Sequence, residues 1–394
     1  MPPAARLGLF YFFYYGAVGA NLPYFAAYLR GLGFSGTVIG TVQAFAPAIA
    51  APAALAWAAA ADRVRSPSRI LRIAAACAFA AMAFLPVARS PPAIALLLLG
   101  NGLFGSALVP LVDSVTMEWV RARPGTTYAR IRLFGSVGFI VVALAVGIAL
   151  DARGDRPADV LVPVVVALCV AGYAASAQSL PSPPPNAVRP GWSDAVALVR
   201  DRRLAALLLA CAVHWGACAP FHLLFGVFAR DAGFPSRITG LAMFAAVGAE
   251  IVALFAFPRL EARFGLRALF VASFGGTALR WALLARTTSP SWVVALQSLH
   301  ALTFGVFWGA SVSAMGRVVP PQLRSTGQAL FSAVVFGAGN ALGYWLSGLG
   351  YDALGGVRPL FSLAAVAETV LLLAALRRLP GLHSQPNTTR RGDF

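Results

Sequence analysis

Twelve long apolar stretches follow one another through the 394 residues of the chain, separated by short polar segments. A helix needs about 20 apolar residues to cross a bilayer, and most of these stretches reach that length. Only helices and closed barrels satisfy their backbone hydrogen bonds inside lipid, so the pattern predicts an all-α integral membrane protein. The predicted spans are 7–29, 37–60, 70–88, 92–117, 129–150, 159–179, 204–229, 236–257, 267–286, 291–315, 326–349 and 357–377.

Composition supports the bilayer as the main solvent. Hydrophobic residues make up 59% of the chain and charged residues 11%, with a mean hydropathy of +0.75, whereas a soluble domain carries roughly 25% charge. The net charge of +17 is typical of a nucleic-acid-binding protein, but the arginines lie in short loops between the apolar stretches. All four cysteines lie inside apolar stretches, which indicates neither a disulfide framework nor a metal site.

The placement of arginine orients the spans. All 31 basic residues are arginines; 22 lie on the side of the two termini, 8 lie on the opposite side, and Arg280 lies within a span. Cytoplasmic loops carry an excess of basic residues, so we expect both termini in the cytoplasm. The use of arginine alone indicates a GC-rich bacterial genome, and we therefore expect a multi-pass protein of the bacterial inner membrane.

A repeated segment indicates that the chain contains two similar halves. Residues 30–40 read RGLGFSGTVIG and residues 230–240 read RDAGFPSRITG, at equivalent places between two apolar stretches. Two parallel halves around a central site are typical of transporters. We predict two pseudo-symmetric six-helix bundles over 1–180 and 204–379, a proline-rich cytoplasmic linker over 181–203 and a disordered cytoplasmic tail over 380–394.

Ionisable residues inside the second half indicate a proton-coupled site. Glu250 lies in the eighth span, Arg280 in the ninth and His300 in the tenth. A charge at mid-bilayer costs at least about 2.5–3.5 kcal/mol, so such a residue needs a partner or a function. Glu250 could gain and lose a proton, His300 could relay it, and Arg280 could hold Glu250 or an anionic substrate. In the structural alternatives, Glu250 is a neutral acid hydrogen-bonded to a neighbouring hydroxyl, His300 only packs between helices, and the Arg280 side chain extends to the membrane surface. Glu368, in the last span, has no predicted role.

Further polar residues are candidates for a central substrate site. Asp113 lies in the fourth span and Arg132 begins the fifth. Gln297, His300 and Thr303 recur every three residues and therefore share one helical face. Other residues that could line the cavity are Asn21, Gln43, His214, His222 and the aromatic run 11–15.

Four segments resemble a known family: FFYYGAVGANLPYFAAYLRGLGFSGTVIG, RIRLFGSVGF, GAEIVALF and LQSLHALTFGVF. With these segments the chain resembles a major facilitator superfamily transporter over nearly its whole length. Within that superfamily it is similar to the phenylpropionate permease family and, more distantly, to lactose permease. The resemblance implies two six-helix bundles that work by alternating access and take up a small organic solute together with protons.

The resemblance also implies roles for individual residues. Asp113 and Arg132 match the acidic and basic positions of the sugar site of lactose permease. Arg280 and His300 match members of its proton-coupling group. Apart from the resemblance, the polar residues Gln297, Asn21 and His214 are also expected near the substrate.

Some positions depart from the family pattern. Thr303 stands where the coupling carboxylate is expected, and Glu250 lies about one helical turn from the expected acidic position. These departures favour Glu250 as the proton carrier. The loop AAAADRVRSPSR resembles the superfamily signature G-x-x-x-D-R with Ala58 in place of its glycine, so Asp62 and Arg63 are expected to form a cytoplasmic gate.

Several functional alternatives remain open at this point. The chain contains no G-x-x-x-x-G-K-[ST] loop for ATP, so an ion gradient is the expected energy source, and the lone carboxyl and histidine favour protons over sodium. An aromatic or other small carboxylate is the preferred solute, with a sugar, a nucleoside or proton-driven efflux as alternatives. A membrane-embedded enzyme would need a catalytic cluster, which the four widely spaced histidines do not provide. We expect a functional monomer that binds a small solute, a proton and lipid, without enzymatic activity, cofactor or nucleic acid.

Overall fold

The computed structural model describes residues 3–64, 67–121, 125–176, 198, 200–320 and 323–377. Within these ranges the chain forms twelve successive helical rods and no strand. The first six rods are α1 (Pro3–Asn21 and Phe25–Gly31), α2 (Gly36–Val64), α3 (Pro67–Ala83), α4 (Pro91–Gly105 and Leu108–Arg121), α5 (Tyr128–Ala152) and α6 (Pro157–Ser176). The second six are α7 (Arg202–Ala217 and Ala219–Asp231), α8 (236–264), α9 (266–284), α10 (Pro290–Val318), α11 (324–354) and α12 (Val357–Leu376).

The predicted architecture of twelve spans is confirmed. In the described part of the chain, nine helical segments are long and apolar enough to cross a membrane, and the 49-residue segment Ser236–Leu284 contains both α8 and α9. These two rods meet at Gly265, where φ is 73°. The remaining rods are α1, which is interrupted by a turn at 22–24, and α3, which has 17 residues.

The third predicted span extends several residues beyond the end of its helix. The third span was expected to reach residue 88, but α3 ends at Ala83 and a turn follows over 84–87. Pro86 explains the early end, because the residue before a proline is sterically driven out of the helical region. The apolar character of this turn had concealed it in the hydropathy pattern.

The two repeated segments adopt the same local structure. In each, the first helix of a half ends at Gly31 or Asp231, and the second begins at Gly36 or Ser236. Between them, Gly33 and Gly233 have φ values of 86° and 72°, a region that side chains with a Cβ rarely enter. The left-handed turn therefore explains the glycine common to both segments, and the duplication is visible in the backbone.

Among the described residues, the buried hydrophobic cluster that the two halves share lies at one end. We call the end that carries the chain termini the terminal end, and the end that carries the two repeated segments the distal end. One buried cluster contains residues of both halves near the distal end, among them Phe25, Val146, Phe225 and Phe361. Two further clusters each contain residues of a single half. The bundle is therefore closed at the distal end, while elsewhere each half has its own core.

Candidate transport site

Three predicted residues form a connected chain in the second half. Nη1 of Arg280 lies 3.0 Å from Nδ1 of His300. Nε2 of His300 lies 3.6 Å from Oε2 of Glu250. His300 on α10 therefore connects the cation on α9 with the carboxyl on α8.

The contact with Arg280 determines the tautomer of His300. A guanidinium only donates hydrogen bonds, so Nδ1 of His300 accepts one and carries no proton. The neutral ring then has its proton on Nε2, which faces Glu250. In this conformation the Nε2 proton of His300 is directed at the carboxyl, and the role of His300 as a proton relay stays a prediction. The 3.6 Å separation exceeds a hydrogen bond, so Glu250 remains free to bind a proton.

Arg280 is fully buried, and its contacts leave no surface for a substrate. Nη2 donates to Oε1 of Gln297, and the guanidinium carbon lies 4.4 Å and 4.5 Å from the ring centroids of Phe221 and Trp281. Gln297 is also fully buried and donates to a carbonyl of its own helix. The structure therefore places Arg280 and Gln297 behind His300 rather than in contact with a solute.

The shape of α10 explains why Gln297 and His300 both reach Arg280. The helix narrows to a 3₁₀ turn at Leu296–Leu299 and widens to a π-helical turn at Ala301–Val306. Side chains three residues apart eclipse one another in a 3₁₀ helix, which aligns Gln297 with His300. Turns of the π type are rare and are frequent at functional sites.

Asp113 and its neighbours lie in the first half. The hydroxyl of Tyr11 donates to Oδ1 of Asp113 at 2.5 Å and lies 3.1 Å from Oγ1 of Thr116. Sequence analysis had named Tyr11 only as part of an aromatic run. Its hydroxyl supplies the hydrogen bond that a carboxylate inside a membrane requires.

Arg132 lies against two tyrosine rings of the first half. Its guanidinium carbon lies 3.8 Å from the ring centroid of Tyr15 and 5.4 Å from that of Tyr11. Among the described residues, no carboxylate oxygen lies within 4.0 Å of its nitrogens. The side chains of Glu250 and His300 retain 17% and 10% exposure, so neither group is fully enclosed by the protein.

The other predicted residues are not brought into this arrangement. His214 is fully buried and hydrogen-bonded, so it offers no surface to a solute. Asn21 and Gln43 are half-buried, at the break in α1 and on α2. The side chains of the predicted gate residues, Asp62 and Arg63, lie outside the described residues. The same holds for most of the predicted linker and for the predicted tail.

An acidic residue that sequence analysis did not single out joins the halves at the distal end. Asp352 of α11 accepts hydrogen bonds from the backbone N–H groups of Gly36 and Thr37 at 2.8 Å and 2.7 Å. It also accepts one from the Thr37 hydroxyl at 2.7 Å. These groups begin α2, so the carboxylate caps a helix of the other half and matches the positive end of its dipole.

A second set of contacts repeats this arrangement with the halves exchanged. Oγ of Ser236, at the start of α8, donates to Asp155 at 2.5 Å, and Arg237 lies 3.3 Å from Asp151 at the end of α5. Arg230 lies 3.1 Å from Asp155. Among the described residues, the hydrogen bonds and ion pairs between the halves lie at this end. The repeated segments 30–40 and 230–240 therefore form part of a distal gate.

Replacing Asp352 with alanine should loosen this gate. Loss of a side-chain cap costs about 0.5–2 kcal/mol, so amide hydrogen exchange at Gly36 and Thr37 should accelerate about 2- to 30-fold. Asp159→Ala is the matched control, because Asp159 is an exposed carboxylate in the first turn of α6, near the same end of the bundle. Equal exchange in the Asp352→Ala protein and the control would show that the cap does not stabilise the closed gate.

Twelve membrane rods in two repeated halves, with ionisable side chains inside the spans, are typical of a multi-pass membrane transporter. Known proteins identify the family. The MFS_1 like family matches residues 4–363, and the chain belongs to it. The all-helical, two-half architecture is that of the major facilitator superfamily.

Whole-length relatives are also transporters. The chain is 30% identical to the maltose permease of Geobacillus stearothermophilus over 381 residues, covering 94% of each chain. It is 28% identical to a probable 3-phenylpropionic acid transporter of Escherichia coli strain K12, covering 93% of this chain and 96% of the relative. The crystal structure of the nucleoside transporter NupG superimposes with a TM-score of 0.82 at 19% identity, covering 96% and 99% of the two chains. The last similarity concerns the fold alone.

Proposed function

We propose that the chain is a secondary active transporter that couples uptake of a small organic carboxylate to protons by alternating access. The observation that carries this proposal is the position of Glu250. Its carboxyl lies within a membrane helix, keeps 17% exposure, and has Nε2 of His300 at 3.6 Å. A carboxyl in this position can bind and release a proton while the residues around it stay in place.

The proton would change the charge that the transporter carries through the membrane. In this proposal, ionised Glu250 attracts two positive groups, the Nε2 proton of His300 on its own half and the guanidinium of Arg132 on the other. Protonation removes the negative charge and weakens both interactions. The attraction between Arg132 and Glu250 across the cleft is then lost, which leaves Arg132 available to an anionic solute. Proton and solute binding would favour each other in this way.

Arg132 is the group that we propose to bind the carboxylate. A guanidinium binds a carboxylate through two parallel hydrogen bonds, and Arg132 has no described carboxylate partner within 4.0 Å. The ring of Tyr15 beside it provides an aromatic surface for an apolar or aromatic solute. We prefer Arg132 to the predicted Arg280 for this role, because Arg280 is fully buried.

A sugar is the second candidate substrate. Asp113, which is half-buried and accepts a hydrogen bond from the buried Tyr11, offers a carboxylate of the type that recognises hydroxyls, and the relative at 30% identity is a maltose permease. Counterflow in proteoliposomes separates the candidates, with labelled 3-phenylpropionate, maltose and uridine as probes. We expect exchange of 3-phenylpropionate. Exchange of maltose or uridine alone would contradict the carboxylate assignment, and exchange of none of the three would contradict the proposed substrate classes.

The arginine distribution supports an orientation with the terminal end in the cytoplasm of a bacterial inner membrane. In that orientation the distal gate is periplasmic, and its closed state corresponds to a cleft that exchanges solute with the cytoplasm. We propose that a single chain is sufficient for transport, because each half contributes to the cleft. A proton-driven efflux transporter of the same fold would differ from this proposal only in the direction of net solute flux.

Replacing Arg132 with glutamine should raise the KM for 3-phenylpropionate about 10- to 100-fold, because a charge-assisted bidentate contact is lost. The measurement is the concentration dependence of counterflow in proteoliposomes. Arg130→Gln serves as the control, since Arg130 lies two residues away and bonds a loop carbonyl. An unchanged KM in the Arg132→Gln protein would remove Arg132 from the substrate site.

A further inference from the structure

A second polar cluster lies deep within the second half. His214 in α7 and Glu368 in α12 are both fully buried, with side-chain exposures of 0%. Nδ1 of His214 lies 2.9 Å from Oε1 and 3.0 Å from Oε2 of Glu368. On the other side of the ring, Nε2 lies 2.9 Å from the backbone carbonyl of Thr303 in α10. One imidazole therefore joins three helices.

The donors and acceptors of this cluster require a proton between His214 and Glu368. The carbonyl of Thr303 only accepts hydrogen bonds, so Nε2 of His214 carries a hydrogen. An ionised carboxylate also only accepts, so a further proton must lie on Nδ1 or on the carboxyl. With that proton the pair is neutral overall. Without it, a net negative charge would be buried away from water, at a large cost. The pair therefore keeps its proton.

His214 bonds the part of α10 that directly follows His300. This π-helical turn departs from the regular pattern of α-helical hydrogen bonds, and side chains of other helices bond two of its consecutive carbonyls. The carbonyl of Leu302 accepts from Oγ of Ser273 at 2.6 Å. The carbonyl of Thr303 accepts from His214. The turn is therefore held from outside, by α9 and α7.

A metal ion does not fit this cluster, although Cys218 lies nearby. The Sγ of Cys218 is 4.0 Å from Nε2 of His214, on the edge of the ring that bonds Thr303. Glu368 lies at the opposite edge, at Nδ1. Because a metal ion binds the lone pair of one ring nitrogen, it could not take the thiolate and the carboxylate around the same nitrogen.

We propose that His214 and Glu368 are positioning residues for the proton site at Glu250. The proton held between them keeps His214 donating to the carbonyl of Thr303. That bond holds the π-helical turn, and the turn presents His300 toward Glu250. The inference rests on the proposed function for the role of Glu250, whereas the geometry that it assigns to His300 is measurable without transport.

Nitrogen-15 spectroscopy of histidine-labelled protein in nanodiscs measures that geometry directly. The chain has four histidines, and the His300→Asn variant assigns the signal of interest. We expect the wild-type His300 ring to be protonated at Nε2 and hydrogen-bonded at an unprotonated Nδ1. The His214→Phe variant should lose this signature in favour of mixed tautomers. A wild-type His300 signal in folded His214→Phe protein would overturn the proposal.

Two further variants keep the test informative if His214→Phe does not fold. Ser273→Ala removes the neighbouring bond to the same turn and should shift the His300 signal in the same direction. Glu368→Gln is the conservative variant, because its amide can donate to Nδ1 in place of the shared proton. It should retain the wild-type signal. An unchanged signal in Ser273→Ala together with a lost signal in Glu368→Gln would contradict the proposed arrangement.

Transport assays separate positioning from proton carriage. Glu368→Gln should accumulate 3-phenylpropionate within about twofold of the wild type, whereas Glu368→Leu should lower accumulation about tenfold and leave counterflow nearly unchanged. Loss of accumulation in Glu368→Gln would make Glu368 a proton carrier and overturn its positioning role. If the wild type shows no proton-driven uptake, the proposed function fails, while the spectroscopic result for His300 still decides the positioning role.

Discussion

Replacing Glu250 with glutamine should leave a protein that exchanges its substrate but cannot accumulate it. Glutamine has nearly the size of protonated glutamic acid, so it reproduces the proton-loaded state of the site. The variant can therefore carry solute across the membrane in both directions. Because the amide cannot release a proton, a pH gradient has no group through which to act. We expect the accumulation driven by a pH gradient to vanish and the counterflow rate to stay within about tenfold of the wild type.

The matched control for this experiment lies on the same helix. Glu261 also belongs to α8, but it lies 2.7 Å from Arg317 and accepts a hydrogen bond from Ser313 at 2.5 Å. Glu261→Gln should keep gradient-driven uptake. Accumulation at the wild-type level in the Glu250→Gln protein, with counterflow intact, would exclude Glu250 as the proton carrier.

Replacing Gly40 with leucine should prevent the distal end from closing. A Cβ at Gly40 would collide with the backbone carbonyl of Tyr344 and lie 2.8 Å from Cα of Gly348, so α2 and α11 could not approach each other. These contacts involve backbone atoms, which cannot rotate away as a side chain can. A transporter that cannot close one end cannot complete its cycle. We expect counterflow to fall at least about tenfold, since overpacking of this kind costs more than about 1–3 kcal/mol.

The structural readout for this variant is hydrogen exchange at the start of α2, which should become faster as the gate opens. Gly172→Leu in α6 is the control, because a Cβ at Gly172 meets no atom within 4 Å. Both proteins should fold and insert. Undiminished counterflow in Gly40→Leu would show that the tight contact between α2 and α11 is not part of the transport cycle.

The overall fold could be predicted from the sequence because its main determinant is local. Apolar stretches of spanning length, interrupted by arginine-rich loops, are sufficient to count twelve spans. The glycines of the two repeated segments also have a local cause, the left-handed turns at Gly33 and Gly233. Glu250, Arg280 and His300 stand out for a similar reason, because ionisable side chains within apolar stretches are costly and therefore few.

The contacts between these residues could not be predicted, because they depend on packing between distant helices. The unusual turns of α10 are held by side chains of α7 and α9, so no property of residues 296–306 alone indicates them. The burial of Arg280 between two aromatic rings likewise follows from how α7 packs against α9. The cap that Asp352 places on α2 joins residues 316 positions apart. In the sequence, Asp352 is only one acidic residue near a span boundary.

The central claim is that a proton gradient drives this transporter through Glu250. Its most direct test is uptake of labelled 3-phenylpropionate into proteoliposomes under an imposed pH gradient or an imposed sodium gradient, with passive entry into protein-free vesicles subtracted. The account predicts accumulation above the external concentration with the pH gradient, no response to sodium, and no accumulation in the Glu250→Gln protein. Accumulation driven by sodium, or a wild-type protein that equilibrates its substrate regardless of the pH gradient, would contradict it.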